Sequence, residues 1–334
     1  MSKLSISIVE ALANLSSPVS GAELARRLNV SRTAIWKNIE QLRHDGYPIA
    51  GTTRIGYRLI SDNILNSSKI SQILTTWHID DPDLLVTLDE TESTNAYARN
   101  LGAEGEKAGF AVMARSQRGG RGRNGRTFLS EKDKGLYLSV LLRPQWDPSE
   151  TACLTAYTAV VTAEILEEML MLDDRKIGIK WVNDLYLDGK KIAGILTEGA
   201  WNMEMGHLDY VVVGIGINLY RTSFPPEIAS IASDIETLTG KQLSVNTLAS
   251  RLIPALRSFS PALAKGLLSN YKSRSVLIGR SVNIYPTQKE SSAPVSHGVV
   301  ENIGDDFSLI VRTDEGELRE LRSGEVTLHD PSKI

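Results

Sequence analysis

Ten residues, Gly119 to Phe128 (Gly-Gly-Arg-Gly-Arg-Asn-Gly-Arg-Thr-Phe), combine the two properties a phosphate grip needs. Between Arg115 and Arg126 the chain carries five arginines and no acid, with four glycines interleaved. Guanidinium groups present a planar fork of donors that matches phosphate oxygens. Glycine lets the backbone take positive φ or lie close against a ligand. A solvated charge run is the plainer alternative, but such a run has little use for the glycines. The stretch also matches Gly120-x-Gly122-x-x-Gly125, a dinucleotide-binding spacing that counts only where a helix opens at the last glycine and an acid follows about twenty residues later. Here apolar segments flank it instead, 110–114 before and 135–142 after. The loop is predicted to join strand to strand and to close over a phosphorylated anion.

Other residues suited to chemistry lie on both sides of this loop. An apolar run at 84–88 delivers Asp89, Glu90, Thr91, Glu92, Ser93, Thr94 and Asn95 to the start of a helix. Ser93, Thr94 and Asn95 can give short, rigid hydrogen bonds to a neutral polar ligand head, or can simply cap the helix. Residues 178–187 (Gly-Ile-Lys-Trp-Val-Asn-Asp-Leu-Tyr-Leu) are predicted to form one strand, turning at Asp188-Gly189 into a partner at 190–198. Asn183 and Asp184 sit between apolar neighbours, so at least one of them should be buried and hydrogen-bonded. Lys191 opens the return strand; beside a turn a lysine is ordinarily solvated, and alone it carries no role. The apolar strand 210–219 is broken by Gly214 and Gly216, which mark either close approach of a ligand or another backbone, or a packing adjustment.

The elements that must hold these residues are bounded by the whole chain. Its 334 residues suggest two or three domains of roughly 100–200 residues each. A 42% apolar and 23% charged composition is that of a globular protein. One cysteine, Cys153, excludes a disulfide framework and a thiolate metal cluster, and the five histidines lack metal-ligand spacing. No apolar run approaches the roughly 20 residues of a membrane span and the start has no signal-peptide plan, so a cytoplasmic protein without membrane attachment is expected. The net charge of −3 hides an asymmetry: residues 1–60 hold eight Lys/Arg against four acids. A basic module on an acidic body points to an anionic partner for the module.

That module has a recognisable plan. Leu4, Ile8, Val9, Leu12 and Leu15 recur at helical spacing, and Pro18 closes the segment. Ser20 to Glu23 reads as a capping box opening a second helix. Ser31 caps a third, in which Ile35, Ile39 and Leu42 form the buried stripe while Arg32, Thr33, Trp36, Lys37 and Glu40 face outward, with Gly46 as the stop. Residues 49–59 read as a small hairpin. This is a winged helix-turn-helix, with Ser31, Arg32, Thr33, Trp36 and Lys37 placed for the major groove and Arg54 and Arg58 for phosphates. Its modest charge implies two copies on DNA, hence a dimer. Asp62 to Ser68 reads as a polar linker. From Tyr271 onward, short strands separated by Gly, Asp and Pro turns suggest a small β-barrel.

Taken together, Glu92-Ser-Thr-Asn95, Gly120 to Arg126, Lys180-Trp-Val-Asn-Asp184, Lys190 to Leu196 and Gly214-Ile-Gly-Ile-Asn218 resemble the biotin–protein ligase family. With the winged helix, the chain resembles its bifunctional bacterial form, which is also the biotin-operon repressor. The resemblance implies an α+β fold of three parts: a winged helix-turn-helix at 1–63, a mixed sheet with helices (biotin/lipoate ligase-like) at 64–270, and an SH3-like barrel at 271–334. It implies that biotin and ATP form biotinyl-5′-AMP, with Mg2+ screening the triphosphate. The biotinyl group then passes to a lysine of a biotin carboxyl carrier protein, a subunit of acetyl-CoA carboxylase.

By the same resemblance, Lys191 bridges carboxylate and α-phosphate with Arg123 beside it, and Asp184 is a candidate base for the second step. Ser93, Thr94, Asn95, Gln117, Arg121 (through its backbone), Gly122, Arg123, Lys191 and Gly194 are the expected biotin contacts. Arg123, Arg126, Phe128, Lys180, Asn183, Lys191 and Asn218 are the expected ATP contacts. The family commonly has tryptophan where Phe128 stands and proline at Val182, so adenine stacking and local rigidity are expected to differ. The adenylate is expected to act as corepressor, promoting a homodimer on operator DNA through loops that include Pro144 to Trp146 and Gly199 to Gly206. Three other readings stay open: a ligase whose winged helix is not a repressor, a transcription factor whose effector domain only senses a nucleotide-like ligand, and a lipoate-type ligase.

Overall fold

Helix α1 (Lys3–Ala13), α2 (Gly21–Arg27) and α3 (Arg32–His44) open the chain, followed by a hairpin of β1 (Ile49–Thr52) and β2 (Gly56–Leu59). The computed structural model describes residues 3–13, 15, 17–44, 47, 49–52, 54–59, 63–147, 150–172, 176–202, 207–285, 294, 296–322 and 325–328. Two units are distinguished: Met1–Thr87 with Ser244–Ser250, and Leu88–Leu243 with Arg251–Ile334. In the first, Ile8, Leu12, Leu24, Ile35, Ile39 and Leu42 form the core stripe that their spacing dictates. Ser20 Oγ accepts from Glu23 N at 3.1 Å and Ser31 Oγ from Ala34 N at 3.1 Å, so both caps form. The capping box is only half made, because the Glu23 carboxylate turns to Arg26 and Arg27. Arg43 donates to the carbonyls of Ile49 (3.0 Å) and Gly51 and lies over the Tyr57 ring, fastening the hairpin to α3. Gly46 and Asp62 lie outside the described residues.

The expected linker is a packed segment. Ile64, Leu65 and Asn66 are buried, and Ile64 joins the N-terminal core. Asn246 brackets the segment, accepting from Asn66 N at 2.8 Å and donating to the Ile64 carbonyl at 2.9 Å. Asn66 in turn caps α4 (Ser67–Thr76) through Lys69 N. Polarity counts misread this run because its two apolar residues are the ones that pack and its asparagine is a cap.

The chain continues through β3 (Leu85–Leu88), α5 (Thr94–Ala103), β4 (Ala111–Ala114), β5 (Gly135–Leu142), α6 (Thr151–Leu170), β6 (Gly178–Lys180), β7 (Asp184–Leu187), β8 (Lys190–Asn202) and β9 (His207–Asn218). Beyond β3, whose last residue opens the second unit, the sheet runs β4-β5-β9-β8-β7-β6. These neighbours pair antiparallel, so strand ends from distant parts of the sequence meet at one rim. Helix α6 begins at Thr151.

Residues 178–187 are not one strand. The chain reverses at Trp181-Val182-Asn183, whose first peptide bond is cis, so that β6 and β7 pair with Lys180 opposite Asp184. Tertiary contacts hold this reversal: Trp181 Nε1 donates to the Phe307 carbonyl at 2.8 Å and the Tyr271 hydroxyl to the Val182 carbonyl at 3.3 Å. β-Branched and aromatic content predicts extended backbone but cannot show a turn fastened from residues 271 and 307.

Short helices α7 (Pro226–Ala229), α8 (Ile235–Thr239), α9 (Val245–Arg257), α10 (Pro261–Gly266) and α11 (Leu268–Arg274) follow. The chain ends in β10 (Ser281–Tyr285), β11 (Ser296–Ile303), β12 (Leu309–Thr313), β13 (Leu318–Leu321) and β14 (Glu325–Leu328). These form a five-stranded antiparallel sheet of order β13-β12-β11-β10-β14, curled as in an SH3-like domain but not closed by pairing between β13 and β14. The fold class is α+β.

Candidate functional site

The β7–β8 hairpin puts a cation and an anion at the rim of the sheet. Lys191 Nζ is 2.7 Å from Asp184 Oδ1, and the two side chains are 28% and 22% exposed, so the lysine is less solvated than its place beside a turn suggests. Its backbone is clamped by Ile231 O (2.8 Å) and Ser233 N (3.0 Å). Gly194 lies under the pair; a Cβ there would stand 3.4 Å from Lys191 Nζ, so the bare position leaves the ammonium room to move. Asn218 Nδ2 donates to the Ser233 carbonyl at 3.1 Å and braces the same segment. Asn183 is buried, donating to Ile195 O at 2.8 Å and accepting from Arg123 at 3.4 Å. Lys191, Asp184, Asn183, Asn218 and Arg123 are therefore gathered at one place, with Lys180 paired in register beside them.

Two tyrosines close by stay protonated. Burial pushes Tyr186 up to about 12, the Asp184 charge adding to this and Arg126 opposing it. Burial raises Tyr271 further, with Arg123 opposing and Asp184 reinforcing. Neither is suited to take a proton near neutral pH.

The arginine–glycine loop is a small hairpin. Gly122 N donates to Arg126 O at 2.7 Å and Phe128 N to Gly120 O at 2.9 Å, around a tight turn at Arg123–Gly125. Asn124 and Gly125 take positive φ there, at 57° and 70°. Its charge is less concentrated than the sequence implies, because acids arrive from elsewhere. Arg115 is only 2% exposed and pairs with Asp133 and Asp89; Arg118 lies 3.7 Å from Glu90 and Glu92. Arg121 and Arg126 are exposed and Arg123 half-buried at the tip. Arg115→Ala is expected to cost about 3 kcal/mol of stability by leaving the largely buried Asp133 carboxylate without this partner. Arg118→Ala should cost less than about 0.5 kcal/mol. Paired thermal melts check the contrast.

On the other side of the loop, Ser93 Oγ caps α5 by accepting from Ala96 N at 3.5 Å. Thr94 donates to Gln117 Oε1 through its N–H (2.8 Å) and stands 3.1 Å from it through its hydroxyl. Asn95 is held at both ends of its amide. Its Nδ2 donates to Leu196 O and Glu198, and its Oδ1 accepts from Ser139. An asparagine so held braces its neighbours in the site. The strand glycines have a cause sequence left open. A Cβ at Gly214 would meet Asn95 Oδ1 at 2.0 Å, and one at Gly216 would meet the Phe128 ring at 2.5 Å. Each makes room for a side chain of the cluster. Ser139, Ser130, Glu198, Tyr271 and Phe307 were not singled out from sequence; a lone serine inside the apolar run 135–142 was the signal available for the first.

In the first unit Arg32, Thr33, Trp36 and Lys37 form one exposed ridge of α3, with Trp36 47% exposed, and Arg54 is exposed at the hairpin turn. Ser31 is exposed at the helix start, where its hydroxyl serves as the cap. Trp36→Ala should weaken binding to a selected DNA duplex about tenfold, and Lys37→Ala should lower the salt-dependence slope by about 1. Fluorescence anisotropy across a salt series reads both.

The comparisons with known proteins agree with this division. The model of the biotin/lipoate A/B protein ligase family matches residues 87–218, and an HTH domain model matches residues 5–58. The bifunctional ligase/repressor BirA of Escherichia coli K12 is 32% identical over 320 residues, 94% of this chain and 94% of its own. The chain belongs to the biotin–protein ligase family. Its relative in Bacillus subtilis 168, also a bifunctional ligase/repressor BirA, is 35% identical over 228 residues, covering 67% of this chain and 68% of that one. Among solved structures, the biotin protein ligase from Aquifex aeolicus in complex with biotin and ATP superposes with a TM-score of 0.60 at 28% identity, covering 73% of this chain and 98% of that chain.

Proposed function

We propose that this biotin–protein ligase joins biotin to ATP and then biotinylates a lysine of a biotin carboxyl carrier protein. In the first step a biotin carboxylate oxygen attacks the α-phosphorus, the bond to the β-phosphate oxygen breaks, and pyrophosphate leaves. Both partners are anions, so the work is positioning and charge neutralisation rather than proton removal. The observation that carries the reading is the Lys191–Asp184 pair beside the Arg123–Asn183 contact, at 2.7 Å and 3.4 Å. It supports Lys191 as the bridge between carboxylate and phosphate, Arg123 and Arg126 as the phosphate grip, and Phe128, Asn183 and Asn218 as the nucleoside side. Thr94, Gln117 and the Ser93 helix start serve the ureido head, with Arg121 and Gly122 contributing backbone.

In the second step the carrier amine attacks the acyl carbon, AMP departs, and the amine gives up a proton. When Lys191 swings to the phosphate, Asp184 Oδ1 loses its partner and becomes the acceptor for that proton. Magnesium enters with the triphosphate: among the described residues, no group of three or more His, Cys, Asp or Glu side chains could cage it. No step is assigned to it. Mass spectrometry after incubation with biotin and ATP tests the reading; absence of biotinyl-AMP overturns it. Arg123→Gly should release the adenylate at least about tenfold faster while biotin KM changes less than about twofold, read by trapping free biotinyl-AMP.

The ridge on α3 supports a second activity, repression of biotin synthesis genes with biotinyl-AMP as corepressor. Loading the adenylate favours a homodimer, and the dimer presents two winged helices to a palindromic operator. Part of the dimer loop at 199–206 lies outside the described residues; Pro144 to Trp146 lies within them. Sedimentation and gel shift with and without biotin and ATP test this. We place the protein in the cytoplasm, the compartment where carrier and operator are found together, and no described helix is long and apolar enough to cross a membrane. The division at 1–63, 64–270 and 271–334 is kept as a functional one.

A further inference from the structure

Behind the proposed biotin head site lies a chain of polar groups that the expected contacts leave unexplained. Arg99 pairs with Glu198, Glu198 accepts from Asn95, and Asn95 reaches Ser139, which reaches Thr94. Thr94, Asn95 and Ser139 are all buried.

Donor and acceptor roles along the chain follow from its two ends. Asn95 Nδ2 is 2.7 Å from Glu198 Oε2 and 3.1 Å from Leu196 O. Both are acceptors, so this end is the amino group and Asn95 Oδ1 points the other way. That oxygen stands 2.6 Å from Ser139 Oγ and can only accept, so it takes the single Ser139 proton. At the far end Ser130 Oγ donates to Phe128 O at 3.1 Å and accepts from Gln117 Nε2 at 2.8 Å. Gln117 Oε1 is thereby turned to Thr94, where it accepts the Thr94 N–H at 2.8 Å. The Thr94 hydroxyl is left between two acceptors, Ser139 Oγ at 2.8 Å and Gln117 Oε1 at 3.1 Å. Its proton goes to one of them in either case. What it can offer a ligand is a lone pair.

We propose that Ser139, backed by Asn95 and Glu198, is a positioning residue that fixes Thr94 as a hydrogen-bond acceptor, so that the site selects a head group carrying an N–H at that point. This rests on the reading that Thr94 and Gln117 meet the ureido ring of biotin, whose two N–H donors flank one carbonyl. A donor-to-acceptor swap in the ligand sets two lone pairs against each other, and a buried polar pair cannot absorb that mismatch.

The test compares biotin with two analogues, each carrying a ring oxygen in place of one ureido N–H, as substrates of the full chain. The readout is kcat/KM for adenylate formation. Wild type is expected to reject one of the two by roughly 100-fold or more. Ser139→Ala leaves the Thr94 proton only the longer contact to Gln117, at 3.1 Å and shared with a backbone N–H, so the hydroxyl is freer to turn outward. That variant is expected to narrow the ratio to below about tenfold, raise biotin KM about tenfold, and leave ATP KM within about twofold. Ser139→Cys, with a weak donor in the same place, falls between.

If Ser139→Ala does not fold, Ser139→Cys carries the test, and a narrowing that stops short of the tenfold limit but is measurable against wild type is expected. A folded variant of either kind that keeps the wild-type ratio overturns the proposal, as does a wild type that uses all three acids equally. A wild type that uses none of them overturns the proposed function, and this proposal with it.

Discussion

Lys191→Met is expected to lower the rate of adenylate formation by about three orders of magnitude, with almost no change in melting temperature. The ammonium is the one group placed between the proposed positions of two anions, and removing such a charge from a phosphoryl-transfer site costs about 10³-fold or more. Stability should barely respond, because the pair with Asp184 at 2.7 Å stays 28% and 22% exposed and half-solvated pairs contribute at most about 1 kcal/mol. Some of the loss will come from the Asp184 carboxylate, which without its partner repels both substrates. The double variant Lys191→Met with Asp184→Asn separates the terms: substrate KM values should recover while the chemical step stays slow. Asp184→Asn alone should slow transfer to the carrier more than adenylation. Pyrophosphate release in a single turnover measures the first step. Retention of more than about a tenth of the wild-type rate by Lys191→Met would remove the lysine from the mechanism.

Alanine at Gly214 and at Gly216, two residues apart, should impair different substrates. At Gly214 the added carbon would lie 2.0 Å from Asn95 Oδ1 and 2.8 Å from its Cγ. Asn95 cannot retreat, since its amide is held by Leu196, Glu198 and Ser139. The variant is expected to lose about 3 kcal/mol and to raise biotin KM by roughly 100-fold, the upper end of overpacking costs with hydrogen bonds broken as well. At Gly216 the added carbon meets the edge of the Phe128 ring, 2.5 Å from Cε1 and 2.7 Å from Cζ. A ring can swing aside, so about 1 kcal/mol of stability is lost, and ATP KM rises about tenfold as the stacking face is displaced. Thermal melts and separate biotin and ATP titrations read all four quantities. Equal effects on both substrates would mean the two glycines serve the sheet alone.

What could be read from the chain alone follows the range of the forces involved. The winged helix was legible because its core stripe and its outward ridge alternate within thirteen residues, Ile35, Ile39 and Leu42 against Arg32, Trp36 and Lys37. The loop at 119–128 was legible as a strand-to-strand connection, but its charge was overcounted. Arg115 finds Asp133 eighteen residues away and Asp89 twenty-six away, and nothing local announces either partner. The reversal at Trp181 failed for the same reason, since Phe307 lies 126 residues on. The strand glycines were seen as unusual with ligand approach and packing both open, and the fold decides for packing: Gly214 and Gly216 are bare for Asn95 and Phe128. Position in a pattern identified the residues that matter; only the packed sheet identified what each of them touches.

Trp181 and Tyr271 carry a practical consequence for anyone who wants a smaller version of this enzyme. A chain shortened after residue 270 would retain Lys191, Asp184, Asn183, Arg123 and every strand of the larger sheet. It would lose the Tyr271 hydroxyl on the Val182 carbonyl and the Phe307 carbonyl that receives the Trp181 indole N–H, along with the edge-on contact of the two rings at 5.4 Å. The turn that aims Asn183 and Asp184 would then be an unsupported three-residue reversal. Tyr271 and Phe307 are in that sense the back wall of the candidate site, and a minimal enzyme has to be trimmed from its other end.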